Sequence, residues 1–198
     1  MHRYEWWIFP GLFGLLREVK CKLEQIEGRL VESPQLGREP GVMEAEFTRL
    51  GIELVLKKSL TYRVPGPLYI PKEGWGSPCD TVELPAWLCE EDIKYYTSKY
   101  EKSGFTGPLN YYRCLDLNWE LTAAWVGAQI KVPVKFIVGD LDLTYHSPGI
   151  QEYIHNGGFK KYVPLLKEVV VERGVGHFIN EEIPDKIAAH IHEFISKF

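Results

Sequence analysis

Two short apolar segments constrain the fold of this chain more than any other feature of its sequence. The first runs from Val132 to Val138 and stops at Gly139-Asp140, and the second runs from Lys167 to Glu172. Both are rich in β-branched residues, which is typical of buried strands. A helical pattern follows each one, from Pro148 to His155 and from Pro184 onward. This alternation predicts an α/β fold in which two parallel strands are joined by a right-handed crossover and belong to a larger sheet.

Before residue 131 the sequence predicts helices and one long irregular stretch. Apolar residues three and four positions apart line one helical face from Leu15 to Leu30, and Glu44 to Leu60 also has a helix-compatible composition. The stretch from Thr61 to Pro85 is rich in proline and glycine, which predicts a long loop, and such loops often act as lids over active sites. A further helix is predicted from Cys89 to Lys102, with Asp92 at the position of a capping-box acid.

Charge and composition narrow the range of partners. The net charge is −4, and the Lys and Arg residues are scattered, which argues against nucleic acid as a partner. The apolar stretch from Trp6 to Leu16 is shorter than the roughly 20 residues of a membrane span and contains Pro10, so no membrane span is expected there.

The cysteines and the C-terminal residues indicate the cellular compartment. The four cysteines, Cys21, Cys79, Cys89 and Cys114, have neither the spacing of a zinc site nor the density of a disulfide scaffold, which favours reduced thiols in a cytoplasmic protein. The final residues Ser196-Lys197-Phe198 resemble a peroxisomal address only in part, so a peroxisomal location ranks below a cytoplasmic one.

Two polar residues follow the two predicted strands, Asp142 after the first and His177 after the second. Loops at the carboxyl ends of neighbouring parallel strands converge in one crevice, so we expect these side chains to meet. A carboxylate beside an imidazole fixes the tautomer of the ring and leaves its other nitrogen to act as a base. Asp140 is an alternative acid, although Asp142 lies further beyond the strand, and each residue by itself also fits a simple turn or surface position.

Several longer runs carry a family resemblance. They are Glu39-Pro40-Gly41, Leu60-Thr61-Tyr62-Arg63, Gly104-Phe105-Thr106-Gly107, Asn110-Tyr111-Tyr112-Arg113, Asn118-Trp119-Glu120-Leu121-Thr122-Ala123, Gly139-Asp140-Leu141-Asp142 and Tyr153-Ile154-His155-Asn156-Gly157-Gly158-Phe159-Lys160. On these runs, the chain from Glu39 to Phe198, 160 of 198 residues, resembles plant soluble epoxide hydrolases of the α/β-hydrolase superfamily.

The resemblance implies a reaction and roles for three residues. In this family an aspartate opens the epoxide to a covalent ester, and a histidine oriented by an acid activates the water that hydrolyses the ester to a vicinal diol. By motif, Asp142 corresponds to the orienting acid, His177 to the base and Tyr112 to a lid tyrosine, with the neighbouring Tyr111 as a packing residue. A tyrosine hydroxyl can donate a hydrogen bond to the epoxide oxygen.

The resemblance also implies the organisation and the ligands. It predicts a partial α/β-hydrolase fold, with a mostly helical lid segment over residues 39–130, the last two parallel strand–helix units over 131–198, and a divergent, helical segment over 1–38. No metal or organic cofactor is implied. The implied substrate is a small-molecule epoxide, with fatty-acid epoxides as one class considered.

The chain departs from the family pattern at its N-terminal side. Neither the nucleophile elbow nor the His-Gly-x-Pro loop is present, and Ser33 stands where the second lid tyrosine is expected. We therefore interpret residues 1–38 as unrelated sequence joined to the C-terminal half of a family member, and expect the isolated chain to be inactive and to fold poorly.

Two alternatives remain. The first is a non-catalytic remnant that binds an intact homologue or another protein through its exposed strand edge, with a homo-oligomer as a further arrangement considered. The second is an ester hydrolase, which ranks last because no serine lies in an elbow motif.

Overall fold

A computed structural model shows a helical part followed by a small parallel sheet with its own helices. It describes residues 39–66, 68, 70, 71 and 73–198. The helix predicted over Leu15 to Leu30, and the proposed N-terminal segment 1–38, lie outside the described residues.

Within the described residues, the helical part has five α-helices. They are α1 (Val42–Leu50), α2 (Ile52–Leu60), α3 (Glu90–Ser103), α4 (Thr106–Arg113) and α5 (Leu115–Leu121), followed by a 3-10 helix over Ala123–Trp125. The sequence pattern from Glu44 to Leu60 predicts helix, and the structure divides it into two helices at Gly51, whose φ of 89° is left-handed and unsuited to most other residues. Between α2 and α3 the described residues form no helix or strand, as the proline-rich sequence predicts.

An apolar core joins α1, α2 and α4. Met43, Phe47 and Leu50 lie on one face of α1, at the spacing of an amphipathic helix, and each is less than 10% exposed. They pack with Val55, Ile70 and Leu109 from later in the chain, and with the rings of Trp75 and Phe105. Burial of such side chains stabilises the folded state by roughly 1.5 to 3 kcal/mol each.

A two-pronged ion pair joins the last residue of α4 to the start of α1. The Arg113 guanidinium donates to both Glu44 carboxylate oxygens, at 2.8 and 2.9 Å, and the Gly41 backbone N–H donates to the same carboxylate at 3.0 Å. The Arg113 hydrogen bonds lower the pKa of Glu44 from 4.5 to about 2. This contact therefore fixes the helix that carries Tyr112.

The sheet has two parallel strands in the described part of the chain, β1 (Val134–Gly139) and β2 (Leu166–Glu172). Between them lie α6 (Ile150–His155) and α7 (Gly158–Tyr162), and after β2 come α8 (Ile179–Glu182) and α9 (Pro184–Ile195). The predicted parallel pairing is confirmed. The helix predicted from Pro148 begins instead at Ile150, because Gly149 adopts a left-handed conformation immediately before it.

A second apolar core lies between β1 and α6. Val138 from the strand packs with Tyr145, Ile150 and Ile154, and Phe136 lies two positions earlier on the same face of β1. Val169 and Val171 extend this surface onto β2. The two strands and the first crossover helix therefore form one packed unit.

The end of β1 approaches the loop after β2 closely. A Cβ atom on Gly139 would lie 2.1 Å from the Val175 carbonyl oxygen and 2.6 Å from that of Gly176. Both contacts are to backbone atoms, which cannot move aside as a flexible side chain can. Only glycine at position 139 therefore allows the two loops to meet.

Replacement of Gly139 tests this close approach. Gly139→Ala should lower the free energy of unfolding by roughly 1 to 3 kcal/mol, because the added methyl group displaces the backbone of the loop after β2. The measurement is denaturant unfolding followed by circular dichroism. Gly107→Ala is the matched control: nothing lies within 4 Å of its added Cβ, so stability should stay equal or rise slightly. Equal stability of both variants would contradict the assignment.

The Arg113–Glu44 pair predicts a specific pH dependence. The pKa of Glu44 is about 2 in the folded chain and 4.5 ordinarily, so the carboxylate stabilises the fold above about pH 4.5 and that contribution is lost as the pH falls toward 2. Glu44→Gln should lower the melting temperature at pH 7 by about 2 to 4 °C and flatten its decline in acid. Differential scanning calorimetry from pH 7 to 3 measures both effects.

The control for this variant is Glu193→Gln, which removes one partner of an exposed i,i+4 pair with Lys197. Solvent screens that pair, so the melting temperature should hardly change. A decline in acid that is unaltered by Glu44→Gln would show that another carboxylate is responsible.

Candidate active site

Backbone hydrogen bonds place the loops after β1 and β2 side by side. The Leu141 N–H donates to the Val175 carbonyl at 2.9 Å, and the Asp140 N–H donates to the Glu172 carbonyl at 2.8 Å. The two strands end at the same level of the sheet, where Gly139 is paired with Glu172. Both loops therefore leave the sheet at its carboxyl edge, where parallel α/β folds place their ligand sites.

Asp142 and His177 contact each other in this crevice. The His177 Nδ1 lies 2.6 Å from the Asp142 Oδ2. Because an ionised carboxylate can only accept hydrogen bonds, Nδ1 carries the proton and donates it, which leaves Nε2 of the neutral ring as the basic nitrogen. The Asp142 side chain is 10% exposed and that of His177 is 44% exposed, so the acid is enclosed while the ring borders solvent.

The second oxygen of Asp142 is held by the backbone. Its Oδ1 accepts the N–H groups of Thr144 at 2.7 Å and of Tyr145 at 2.9 Å. Such a turn is the usual local use of an aspartate after a strand. Here the same turn also directs Oδ2 toward the imidazole, so one carboxylate closes the turn and orients the ring.

The contact between Asp142 and His177 shifts the pKa of each group in the direction that favours its charged form. Burial by itself would raise the pKa of Asp142, but the hydrogen bonds from His177 and from the backbone of Tyr145 outweigh it and leave that pKa below its usual value. The hydrogen bond to Asp142 raises the pKa of His177 above its usual value, against the opposing effect of burial.

These shifts set the pH range in which the pair stabilises the fold. The Asp142 contribution is present above its usual pKa of 3.8 and is lost as the pH falls below it. The His177 contribution is complete below its usual pKa of 6.5 and is lost as the pH rises through the raised value. The pair therefore stabilises the folded chain most between about pH 3.8 and 6.5.

Asp140, the alternative acid, has a different contact. Its carboxylate accepts the Gly174 N–H at 2.6 Å, at a residue whose φ of 70° makes a tight turn after β2. It therefore fastens the two loops together, while Asp142 is the residue that contacts His177.

Tyr112 lies apart from this pair. It is on α4 and is 54% exposed, and within the described part of the chain its hydroxyl group makes no hydrogen bond. Tyr111, which the family motif predicts as a packing residue, is instead 72% exposed. The structure brings Asp142 and His177 together but joins neither of them directly to Tyr112.

Sequence reasoning missed one close neighbour of His177. Glu182 lies two positions before the first residue of α9, where an acidic residue is common, but its side chain is only 4% exposed and accepts the Gly176 N–H with both oxygens at 3.0 Å. Its cationic partner is Arg63, which lies 119 positions earlier. No local pattern connects residues so far apart, so only the tertiary structure reveals the pair.

Two further features of the described residues bear on ligands. No group of three or more His, Cys, Asp or Glu side chains in that part of the chain could hold a metal ion. None of its helices combines the length and the apolar composition of a membrane span. The cysteines at 79, 89 and 114 are free thiols, and Cys21 lies outside the described residues.

Known proteins with similar sequence and structure agree on one family. Epoxide hydrolase 3 of Siraitia grosvenorii is 59% identical over 160 residues, which is 80% of this chain and 51% of that protein. A variant of the Vigna radiata epoxide hydrolase aligns with a TM-score of 0.81 at 49% identity, over 89% of this chain and 57% of the other. Potato (Solanum tuberosum) epoxide hydrolase I gives a TM-score of 0.79 at 52% identity, over 89% and 56%.

The extent of these matches defines what the chain shares. No family model matches the chain. The chain spans about half the length of the relatives it matches, since 51% to 57% of each of these proteins is covered. In sequence and in structure, this chain is a homologue of the plant epoxide hydrolases and carries part of their α/β-hydrolase fold.

Proposed function

We propose that this chain supplies the acid and base of an epoxide-hydrolase site, which converts an epoxide to a vicinal diol. The observation that carries the proposal is the 2.6 Å contact between the His177 Nδ1 and the Asp142 Oδ2. It orients the ring and increases the basicity of Nε2 at the half-exposed side of the crevice. The names of the homologues support the substrate class, a small-molecule epoxide.

His177 acts in this proposal on the second of two steps. In the first, an aspartate nucleophile opens the epoxide and forms an ester. In the second, Nε2 removes a proton from water as the water oxygen attacks the ester carbonyl. The bond between the carbonyl carbon and the alcohol oxygen then breaks, the departing alkoxide takes the proton from the imidazolium, and the products are the diol and the aspartate carboxyl group, which loses its proton to solvent. Asp142 stabilises the imidazolium that forms. Because Nε2 must be unprotonated, the raised pKa of His177 makes this step most efficient above that pKa.

The nucleophile has no match in this sequence. The chain therefore provides only some of the catalytic groups of this reaction. The first step requires a carboxylate that another polypeptide segment brings to the crevice. Loss of one member of such a constellation removes nearly all of the rate enhancement. We expect little turnover by the chain without that segment.

Tyr112 has a proposed role in the first step. A tyrosine hydroxyl can donate a hydrogen bond to the epoxide oxygen and stabilise the alkoxide that develops as the ring opens. The Arg113–Glu44 pair fixes the end of α4 beside it, and its half-exposed side chain is accessible to a ligand. The correspondence with the family motif supports this assignment.

Two separate apolar cores support a division of the described chain. The first core draws its residues from 43–109, and the second from 136–171. On this basis residues 39–130 form the cap and residues 131–198 form the C-terminal part of the hydrolase core. Tyr112 then lies in the cap, and the acid–base pair lies in the core.

A second candidate function is an interaction role. Within the described residues β1 is paired on one side only, and the segment before it exposes large apolar side chains, with Leu121 at 73%, Trp125 at 57% and Val126 at 59%. An open strand edge can accept a strand of another chain. The occupant we consider is the N-terminal half of a homologous epoxide hydrolase, because the chain covers only 51% of its Siraitia relative.

A chimera tests the catalytic proposal. Residues 39–198 of this chain replace the matching half of the Siraitia epoxide hydrolase, which supplies the rest of the site. We expect conversion of styrene oxide to its diol, and His177→Ala should reduce steady-state turnover by at least about 10³-fold. Because the ester still forms in that variant, intact-mass spectrometry should show a protein adduct of one substrate mass.

His192→Ala is the control for this experiment, since His192 is an exposed histidine on α9. It should leave turnover unchanged and show no adduct. A chimera whose activity survives His177→Ala would contradict the role of this residue. Retention of the unaltered 198-residue chain by the separate N-terminal half, without diol formation, would favour the interaction role.

The acid–base contact also has a direct spectroscopic test. Asp142→Asn replaces the carboxylate that stabilises the imidazolium, so the pKa of His177 should fall, and nuclear magnetic resonance titration of its ring protons measures the change. Asp140→Asn is the matched control in the same loop, because Asp140 contacts Gly174 instead of the ring. Equal shifts in the two variants would contradict a specific Asp142–His177 pair.

A further inference from the structure

The loop that carries His177 is held by a second carboxylate besides Asp142. The Gly176 N–H, in the residue just before His177, donates to both carboxylate oxygens of Glu182 at 3.0 Å. Glu182 is the last residue of α8, and its side chain is 4% exposed. A buried carboxylate therefore lies against the backbone that presents the ring.

Arg63 completes this contact from the helical part of the chain. Its guanidinium pairs with the Glu182 carboxylate and also donates from Nη1 to the Gly174 carbonyl at 3.0 Å. The loop from Gly174 to His177 is thus held at a carbonyl group by Arg63 and at an N–H group by Glu182. The planar guanidinium is suited to such two-point binding, because its donors have a fixed geometry.

Packing leaves little freedom in this arrangement. A Cβ atom on Gly176 would lie 2.7 Å from the Glu182 Oε1 and 3.6 Å from the Arg63 Cγ. The glycine therefore lets the carboxylate approach the backbone directly. A buried carboxylate is retained only when it is paired and hydrogen-bonded, and here the two requirements are met by Arg63 and Gly176.

We infer that Arg63 and Glu182 are a positioning pair, which sets the place of the His177 ring relative to Asp142 and couples the helical part of the chain to the acid–base pair. The inference rests on the proposed function, since it deepens the account of the same site. Neither residue is assigned a contact with substrate. Their effect on the chemistry passes through the loop that carries the base.

The charged groups around the His177 ring affect its pKa, so the effect of the positioning pair can be measured as a change in that pKa. Asp142 faces His177 from the loop after β1, Glu182 faces it from α8, and the Arg63 cation neutralises part of the Glu182 charge. The Phe178 ring packs edge-on against the imidazole, with centroids 5.2 Å apart. After Asp142, Glu182 is a second carboxylate that raises the pKa of His177.

The experiment is nuclear magnetic resonance of the full 198-residue chain, with no turnover required. Glu182→Gln keeps the shape of the side chain but removes its charge, so the pKa of His177 should shift to a lower value. Glu181→Gln is the matched control, because it removes a carboxylate from the adjacent position of the same helix, one whose side chain hydrogen-bonds Tyr96. This control should leave the pKa of His177 unchanged.

Arg63→Gln is the second variant, and it keeps the inference testable if the Glu182 variant fails to fold. The Arg63 side chain is 35% exposed, so its replacement disturbs the interior less than replacement of Glu182 does. Loss of its bond to the Gly174 carbonyl should speed amide hydrogen exchange at residues 174–177 while exchange in β1 and β2 stays unchanged. An unaltered His177 titration in Glu182→Gln, or unaltered loop exchange in Arg63→Gln, would overturn the inference. Failure of the chimera to form diol would contradict only the proposed function, because these measurements do not depend on turnover.

Discussion

The close approach of two backbone segments at Gly139 is the constraint on which the rest of the site depends. Parallel pairing of β1 with β2 brings their carboxyl ends to one edge, and the missing side chain at position 139 lets the loop after β2 pass within contact of the strand. The Leu141 N–H then bonds the Val175 carbonyl. This arrangement brings Asp142 and His177 into contact.

Two carboxylates fix the position of the His177 imidazole by different means. Asp142 contacts the ring itself, and its own orientation comes from the N–H groups of Thr144 and Tyr145. Glu182 contacts the backbone before the ring. Because both are enclosed, their charges act on His177 with little screening by solvent, and both raise its pKa. The same geometry that fixes the ring therefore also sets its basicity.

The helical part of the chain is connected to this site through arginine. Arg113 fixes α4, which carries Tyr112, against α1, while Arg63 reaches across to the loop of His177. Both use the planar guanidinium to bind two acceptors at once, which a lysine ammonium cannot do in a fixed geometry. Each part has its own apolar core, and the Arg63 contact joins the helical part to the loop that carries His177.

The sequence by itself determined the parallel strand–helix units, the long irregular stretch and the pairing of Asp142 with His177, because strand periodicity and the position of polar residues after strands are local patterns. It also indicated the plant epoxide hydrolase relationship through contiguous motifs. It did not determine the division at Gly51, the exposure of Tyr111, or the partnership of Arg63 with Glu182. The Arg63–Glu182 pair joins segments 119 positions apart, and Glu182 by its position alone resembles an ordinary acid near a helix start. Only the tertiary structure decided them, because burial and charge pairing are properties of neighbours in space and not of neighbours in the chain.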